Sequence, residues 1–163
     1  MQSFIRFTDR LALVCAVVAA AFVAMAVLIV TWMILWRALG NSSFWEIEAS
    51  VFLSIAAIFL ASPYALRTRG HVSVDLLEAI LPDRATRPLR MFAMAIVAVV
   101  SAYLVWEGGK MTLLALHEGE RTPSLWAPLK WPIFAAMPLG MGLTCLQAIV
   151  EIARLRLSPP DAR

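Results

Sequence analysis

Few side chains in this sequence belong to the types that carry chemistry, and their spacing limits what they can do. His71 and His117 are its only histidines. A long apolar run separates them, so they fall at opposite faces of any membrane that run crosses. They cannot ligate one haem, whose axial ligands would moreover lie within spans. Cys15 and Cys145 both sit inside apolar runs without metal-ligand spacing, and they read as small buried residues. Glu107 and Lys110 stand three apart in the last third of another apolar run. Charges within a membrane are functional suspects, but at this depth, near an interface, the two pair with each other across a helical turn. There is no Ser/His/Asp or Cys/His set, no glycine-rich phosphate loop and no nucleotide motif, so the expectation is a protein that is not an enzyme and binds no cofactor or metal.

The elements that position these residues follow from composition. The chain has 163 residues, of which 61% are hydrophobic, with a mean hydropathy of +0.80. That is too apolar for an ordinary soluble domain. Crossing a hydrocarbon core of ~30 Å takes roughly 20 apolar residues in a helix. Four stretches meet or approach that length, about 11–36, 47–66, 89–116 and 131–150. The first continues well beyond the roughly 7–15 apolar residues of a secretory signal and is read as a retained helix. Ten of the fourteen Lys and Arg residues fall in three places: before the first span (Arg6, Arg10), between the second and third (Arg67, Arg69, Arg84, Arg87, Arg90) and after the fourth (Arg154, Arg156, Arg163). Arg37, Lys110, Arg121 and Lys130 are on the other side. Basic loops stay cytoplasmic. The expected fold is an all-α membrane protein, a single domain of four transmembrane helices with both termini inside. The net charge of +3 is explained by topology and requires no nucleic acid.

Between Arg69-Gly70 and Pro82 lies a segment too short to span. It places Val74, Leu77, Ile80 and Leu81 on one helical face, so a short interfacial amphipathic helix is expected over about 72–82. The arginines that bracket it could meet lipid phosphates, making a bound phospholipid possible. Within the spans, Ala12, Ala16, Ala20 and Ala24 form a small-residue row on the first helix, and Ala136 with Gly140 a pair on the fourth, both suited to close helix packing in lipid. Gly108-Gly109 indicates a bend or close packing, and Pro63 a kink. Ser43-Phe-Trp-Glu46 has the form of a capping box opening the second helix. All six tryptophans, at 32, 36, 45, 106, 126 and 131, map to the outer side, as an interfacial belt would. A self-sufficient transporter builds its site from broken helices and internal repeats at the midplane. Four spans without a midplane charge point instead to an accessory or scaffold subunit.

Two stretches carry a family resemblance. Arg67-x-Arg-Gly-His-Val-x-Val-Asp75-x-Leu, followed by Leu81-Pro82, resembles the small membrane subunit of the tripartite ATP-independent periplasmic (TRAP) transporters. Gly119-x-Arg-Thr-x-Ser-Leu-Trp-x-Pro128, with Trp131-Pro132 and Pro138-Leu-Gly140, is similar to the family's second signature, and Glu46 opening the second helix agrees. The resemblance covers about residues 8–155. It implies an inner-membrane subunit that binds a large permease subunit and helps receive a soluble periplasmic substrate-binding protein, in a sodium-coupled importer whose substrate and sodium sites lie on the large subunit. On this reading Arg37, Glu46, Glu118, Glu120, Arg121, Trp126 and Lys130 are candidates for docking the binding protein. Arg67, Arg69, Gly70, His71 and Asp75 are candidates for assembly at the inner interface. The alternative is an accessory or assembly subunit of another inner-membrane complex. Gly70 permits a sharp reversal and Asp75 suits a first helical turn. Gly70→Val or Asp75→Lys is therefore expected to lower the yield of co-purified complex while leaving substrate choice intact.

Overall fold

In hydrocarbon every backbone N–H and C=O must be satisfied within its own segment, and the four apolar runs achieve this as long helices. The computed structural model describes residues 2–68 and 83–157. Its helices are α1 (Gln2–Ala38), α2 (Glu46–Arg67), α3 (Asp83–Glu118) and α4 (Trp131–Leu157). All four are long and apolar enough to cross a membrane. The expected interfacial helix, with Arg69, Gly70, His71 and Asp75, lies outside the described residues.

α1 and α3 are longer than their apolar runs. α1 starts nine residues before the expected span, so Arg6, Asp9 and Arg10 ride on helix rather than on a tail. Nothing in Gln2–Arg10 breaks a helix, because neither Gly nor Pro occurs there. At 1.5 Å per residue its 37 residues extend about 55 Å, well beyond a ~30 Å hydrocarbon core. Pro88, Pro63 and Pro138 all lie inside helices, and Pro63 is completely buried. Helices α1 and α3 close with a glycine in the left-handed region. Gly40 (φ 84°) follows α1, with Gly40 N–H bonded to Arg37 C=O and Asn41 N–H to Trp36 C=O; Gly119 (φ 61°) follows α3, with Glu120 N–H bonded to Ala115 C=O. Both caps satisfy end carbonyls that would otherwise be orphaned.

The helices form an open row rather than a closed bundle. α1 packs on α2, α2 on α4, and α4 on α3, while α1 touches α4 only slightly. Among the described helices α3 packs against α4 alone. α4 is thus the hub. Its buried positions are Ala136, Gly140, Thr144, Gln147, Ala148, Val150 and Glu151, a seam of mostly small and polar residues. The closest approach is at Gly140, where a Cβ would come within 2.2 Å of the Phe59 carbonyl oxygen on α2. Gly108 does the same for α3, with Pro138 and Met137 of α4 at 3.1–3.3 Å from a Cβ there, whereas Gly109 has nothing within 4 Å. Gly140 thus makes the expected close helix contact, and Ala136 is buried on the same helix.

On α1 the small residues that pack share only Ala12 with the expected row. Ala20 and Ala24 are exposed and Ala16 half-buried, while Thr8, Ala12, Cys15, Ala19 and Ala26 are buried. A strict i, i+4 row advances about 40° around the helix at each step, so it leaves a seam within a few turns. Alternating steps of four and three average close to 3.6 and stay in register with a neighbour.

Gly140→Ala forces two backbones apart and is expected to cost about 1–3 kcal/mol, as overpacking does. Gly109→Ala is expected to be neutral or stabilising by about 0.5–1 kcal/mol, since Ala is the better helix former. Tryptophan-fluorescence melting of the two variants in one detergent distinguishes them.

Candidate functional site

The described charged residues collect at the two ends of the row. At the first end they converge on one carboxylate. Asp9 of α1 receives Arg154 Nη2 of α4 at 2.5 Å on Oδ2, and Gln147 Nε2 of α4 at 3.3 Å on Oδ1. Arg67, the last residue of α2, lies with Nε 3.6 Å from Oδ1 and donates from Nη1 to the Asp9 carbonyl at 3.4 Å. Arg154 also reaches Glu151 Oε2 at 3.5 Å. Three helices are therefore joined through Asp9. This level is the edge of the apolar slab. Leu11 begins the apolar run of α1, Leu66 ends that of α2, and Ile152-Ala153 end that of α4. Gln147 is fully buried, and its Oε1 finds no partner among the described residues.

At the opposite end the loop after α3 is clasped. Arg121 and Leu129 form an antiparallel bridge, with Thr122 N–H bonded to Pro128 C=O and Lys130 N–H to Glu120 C=O. Lys130 pairs with Glu120 at 3.3 Å, and Arg121 Nη1 donates to the Ala127 carbonyl at 3.1 Å. Ala127 has φ +46°, a conformation that costs a side-chain-bearing residue free energy, and its N–H is held by Ser124 Oγ at 3.1 Å. Ser124 in turn donates to Glu48 Oε2 of α2 at 2.6 Å, and the Trp126 ring packs on Trp45 at 6.2 Å. These contacts tie the α3–α4 loop to the start of α2. All six tryptophans lie in this half of the row; Trp32 and Trp36 stack at 5.5 Å, and Lys110 sits 5.2 Å from the Trp106 ring while pairing with Glu107 at 2.9 Å.

The expected docking residues thus meet different fates. Arg37 and Glu118 are exposed and make no ion pair among the described residues; Trp126 is exposed against Trp45. Glu120 and Lys130 pair with each other within the loop, while Arg121 is exposed and donates to the Ala127 carbonyl. Glu46 is a correction. It is 1% exposed, and its Oε2 and the Ser43 Oγ are buried without a hydrogen-bond partner among the described residues. It does not present its carboxylate at the surface. The capping box is absent as well: Trp45, not Ser43, is the N-cap, in αR geometry with no side-chain cap. The Trp45–Trp126 contact fixes how the chain enters α2 and leaves Ser43 two residues outside the helix. Of the assembly candidates, only Arg67 is described, and it lies on the Asp9 node.

Asp9 escaped the sequence reading, which counted basic residues around the spans. The sequence signal for it is a lone carboxylate between Arg6 and Arg10, directly before the longest uncharged run. Asp9→Ala removes the common acceptor of Arg67, Arg154 and Gln147, and is expected to cost about 1.5–3 kcal/mol. Arg154→Ala in the Asp9→Ala background is expected to cost much less than alone, a coupling that a double-mutant thermal cycle measures.

Comparison with known proteins gives this geometry a context. Residues 26–157 match the family described as tripartite ATP-independent periplasmic transporters, DctQ component. The isethionate TRAP transporter permease protein DctMQ of Oleidesulfovibrio alaskensis (strain ATCC BAA-1058 / DSM 17464 / G20) is 22% identical over 134 residues, which are 78% of this chain and 21% of that protein. The C4-dicarboxylate TRAP transporter small permease protein DctQ of Rhodobacter capsulatus is 24% identical over 108 residues, 66% of this chain and 47% of that protein. The chain therefore spans about a fifth of one relative and about half of the other. With most of its own length matched, this multi-pass protein of the bacterial inner membrane belongs to the DctQ component family of TRAP transporters, a family of transporter parts rather than of enzymes.

Proposed function

We propose that the chain is the small, non-catalytic subunit of a TRAP-type, sodium-coupled importer. It scaffolds a large permease subunit and presents its tryptophan-rich end to a periplasmic substrate-binding protein. Both termini lie inside, and the coupling sodium and the substrate are held by the large subunit. The observation that carries this reading is the open row. Only 11% of the most apolar stretch of α1 and 17% of that of α3 are buried within the chain, so two long helices keep apolar flanks for a partner or lipid. A relative whose name joins M and Q in one permease protein, of which this chain matches 21%, supports the large M component as that partner.

The clasped loop suits docking because its conformation is set before any encounter, which reduces the ordering cost of binding. Exposed rim charges tune encounter rate and register more than affinity, and salt screens them. Arg37 and Glu118 are the residues to test, because reversing Glu120, Arg121 or Lys130 also breaks the loop. Arg37→Glu and Glu118→Lys are expected to raise the binding-protein concentration for half-maximal uptake by reconstituted complex several-fold at low salt, with complex yield unchanged. If neither reversal shifts that concentration, docking belongs to the large subunit alone.

A further inference from the structure

The Asp9 node has more donors than its carboxylates can use. Each guanidinium carries five N–H groups. Among the described residues the acceptors facing Arg67 and Arg154 are Asp9, through its carboxylate and its carbonyl, and Glu151. Arg67 is loosely held at 3.4–3.6 Å, at or beyond ordinary hydrogen-bond length. Both arginine side chains remain about one-third exposed, at 34% and 32%. Arg6, Arg10 and Arg156 stand exposed at the same end, so positive charge predominates there among the described residues. The node also lies at one depth, where three apolar runs stop together. In a bilayer that depth is occupied by headgroup phosphates. Exposed apolar side chains continue from it along the helices: Leu13 and Val14 on α1, Leu146 and Ile149 on α4.

We infer that the Arg67–Arg154 pair at the Asp9 node binds the phosphate of an anionic phospholipid, whose acyl chains follow the exposed apolar helix faces beneath it. Guanidinium forks match phosphate oxygens in a way ammonium groups do not, and arginine-lined clefts at helix ends suit such headgroups. Asp9 plays two parts. It aligns the guanidiniums by neutralising their mutual repulsion, and it competes with the phosphate for the same N–H groups. This inference is independent of any docking role, because it concerns the opposite end of the molecule.

The test uses the full chain, purified in a non-ionic detergent and titrated with phosphatidylglycerol, phosphatidylcholine or inorganic phosphate, following both the melting transition and the lipid retained on the protein. Phosphatidylglycerol is expected to stabilise at a mole fraction at least tenfold lower than phosphatidylcholine. Paired Arg67→Lys and Arg154→Lys substitutions, which keep the charge, are expected to abolish most of that preference. Asp9→Asn keeps both arginines and removes their competitor, so it is expected to bind phosphatidylglycerol several-fold more tightly even though its baseline melting temperature falls. The inference is overturned if Asp9→Asn leaves phosphatidylglycerol binding unchanged or weaker. It is equally overturned if millimolar inorganic phosphate reproduces the full shift, which assigns the site to a soluble anion, or if Arg156→Gln removes the preference as completely as the paired substitutions do, which reduces it to diffuse surface charge.

Discussion

The arrangement depends on two backbones being able to touch. Between helices in lipid there is no hydrophobic effect to harvest, because a leucine loses nothing by facing an acyl chain. Association rests on close van der Waals contact, and at Gly140 that contact is with the Phe59 carbonyl itself, a place no side chain can occupy. Because α2 and α4 meet there, α4 becomes the hub of the row, and Gly108 lets α3 lie against its other side. The remaining helix, α1, is joined to α2 through a seam of small residues and to α4 mainly through Asp9.

Polar contacts add what packing in lipid lacks, namely register. Asp9 receives groups from α2 and α4 at one end, while Glu48 and Ser124 join the start of α2 to the α3–α4 loop at the other. Sliding any of these helices by one turn, about 5.4 Å, would break a charged contact at one end of the row or the other. Both sets sit at or outside the edges of the apolar slab, where charges keep some access to water and their desolvation cost is moderate. The apolar middle is left to small residues and to side chains that bond their own backbone, as Thr144 Oγ1 does to Gly140 C=O at 2.9 Å and Ser54 Oγ to Ser50 C=O at 2.7 Å.

This division also accounts for the polar seams. Gln147 is buried beside Asp9, and Glu46 is buried at the opposite end with one oxygen unpaired among the described residues. Burying such groups is costly, and at Gln147 that cost accompanies a contact that joins two helices. Gln147 holds the node from within the α4 seam.

The sequence by itself determined the number and extent of the apolar runs, and hence an all-α membrane fold, because hydrocarbon admits no other way to satisfy a spanning chain of this pattern. It also determined the Glu107–Lys110 pair, which depends on residue type and spacing within one helix, and it marked Gly140 as a small-residue position whose partner, Phe59, the fold supplied. It carried the family resemblance in two loop signatures. Tertiary structure decided what depends on position between helices. The packed stripe of α1 leaves the i, i+4 alanines after Ala12 and runs on through Cys15, Ala19 and Ala26, because a seam must follow the neighbour and not a fixed step. Ser43 is not a cap, because Trp45 is drawn against Trp126, some eighty residues away in the chain. Asp9 looks like one acid in a basic tail until α1, α2 and α4 bring Arg67, Gln147 and Arg154 around it. Charge counting along the chain cannot find such a node, because the Coulomb interaction depends on distance in space and the fold sets that distance.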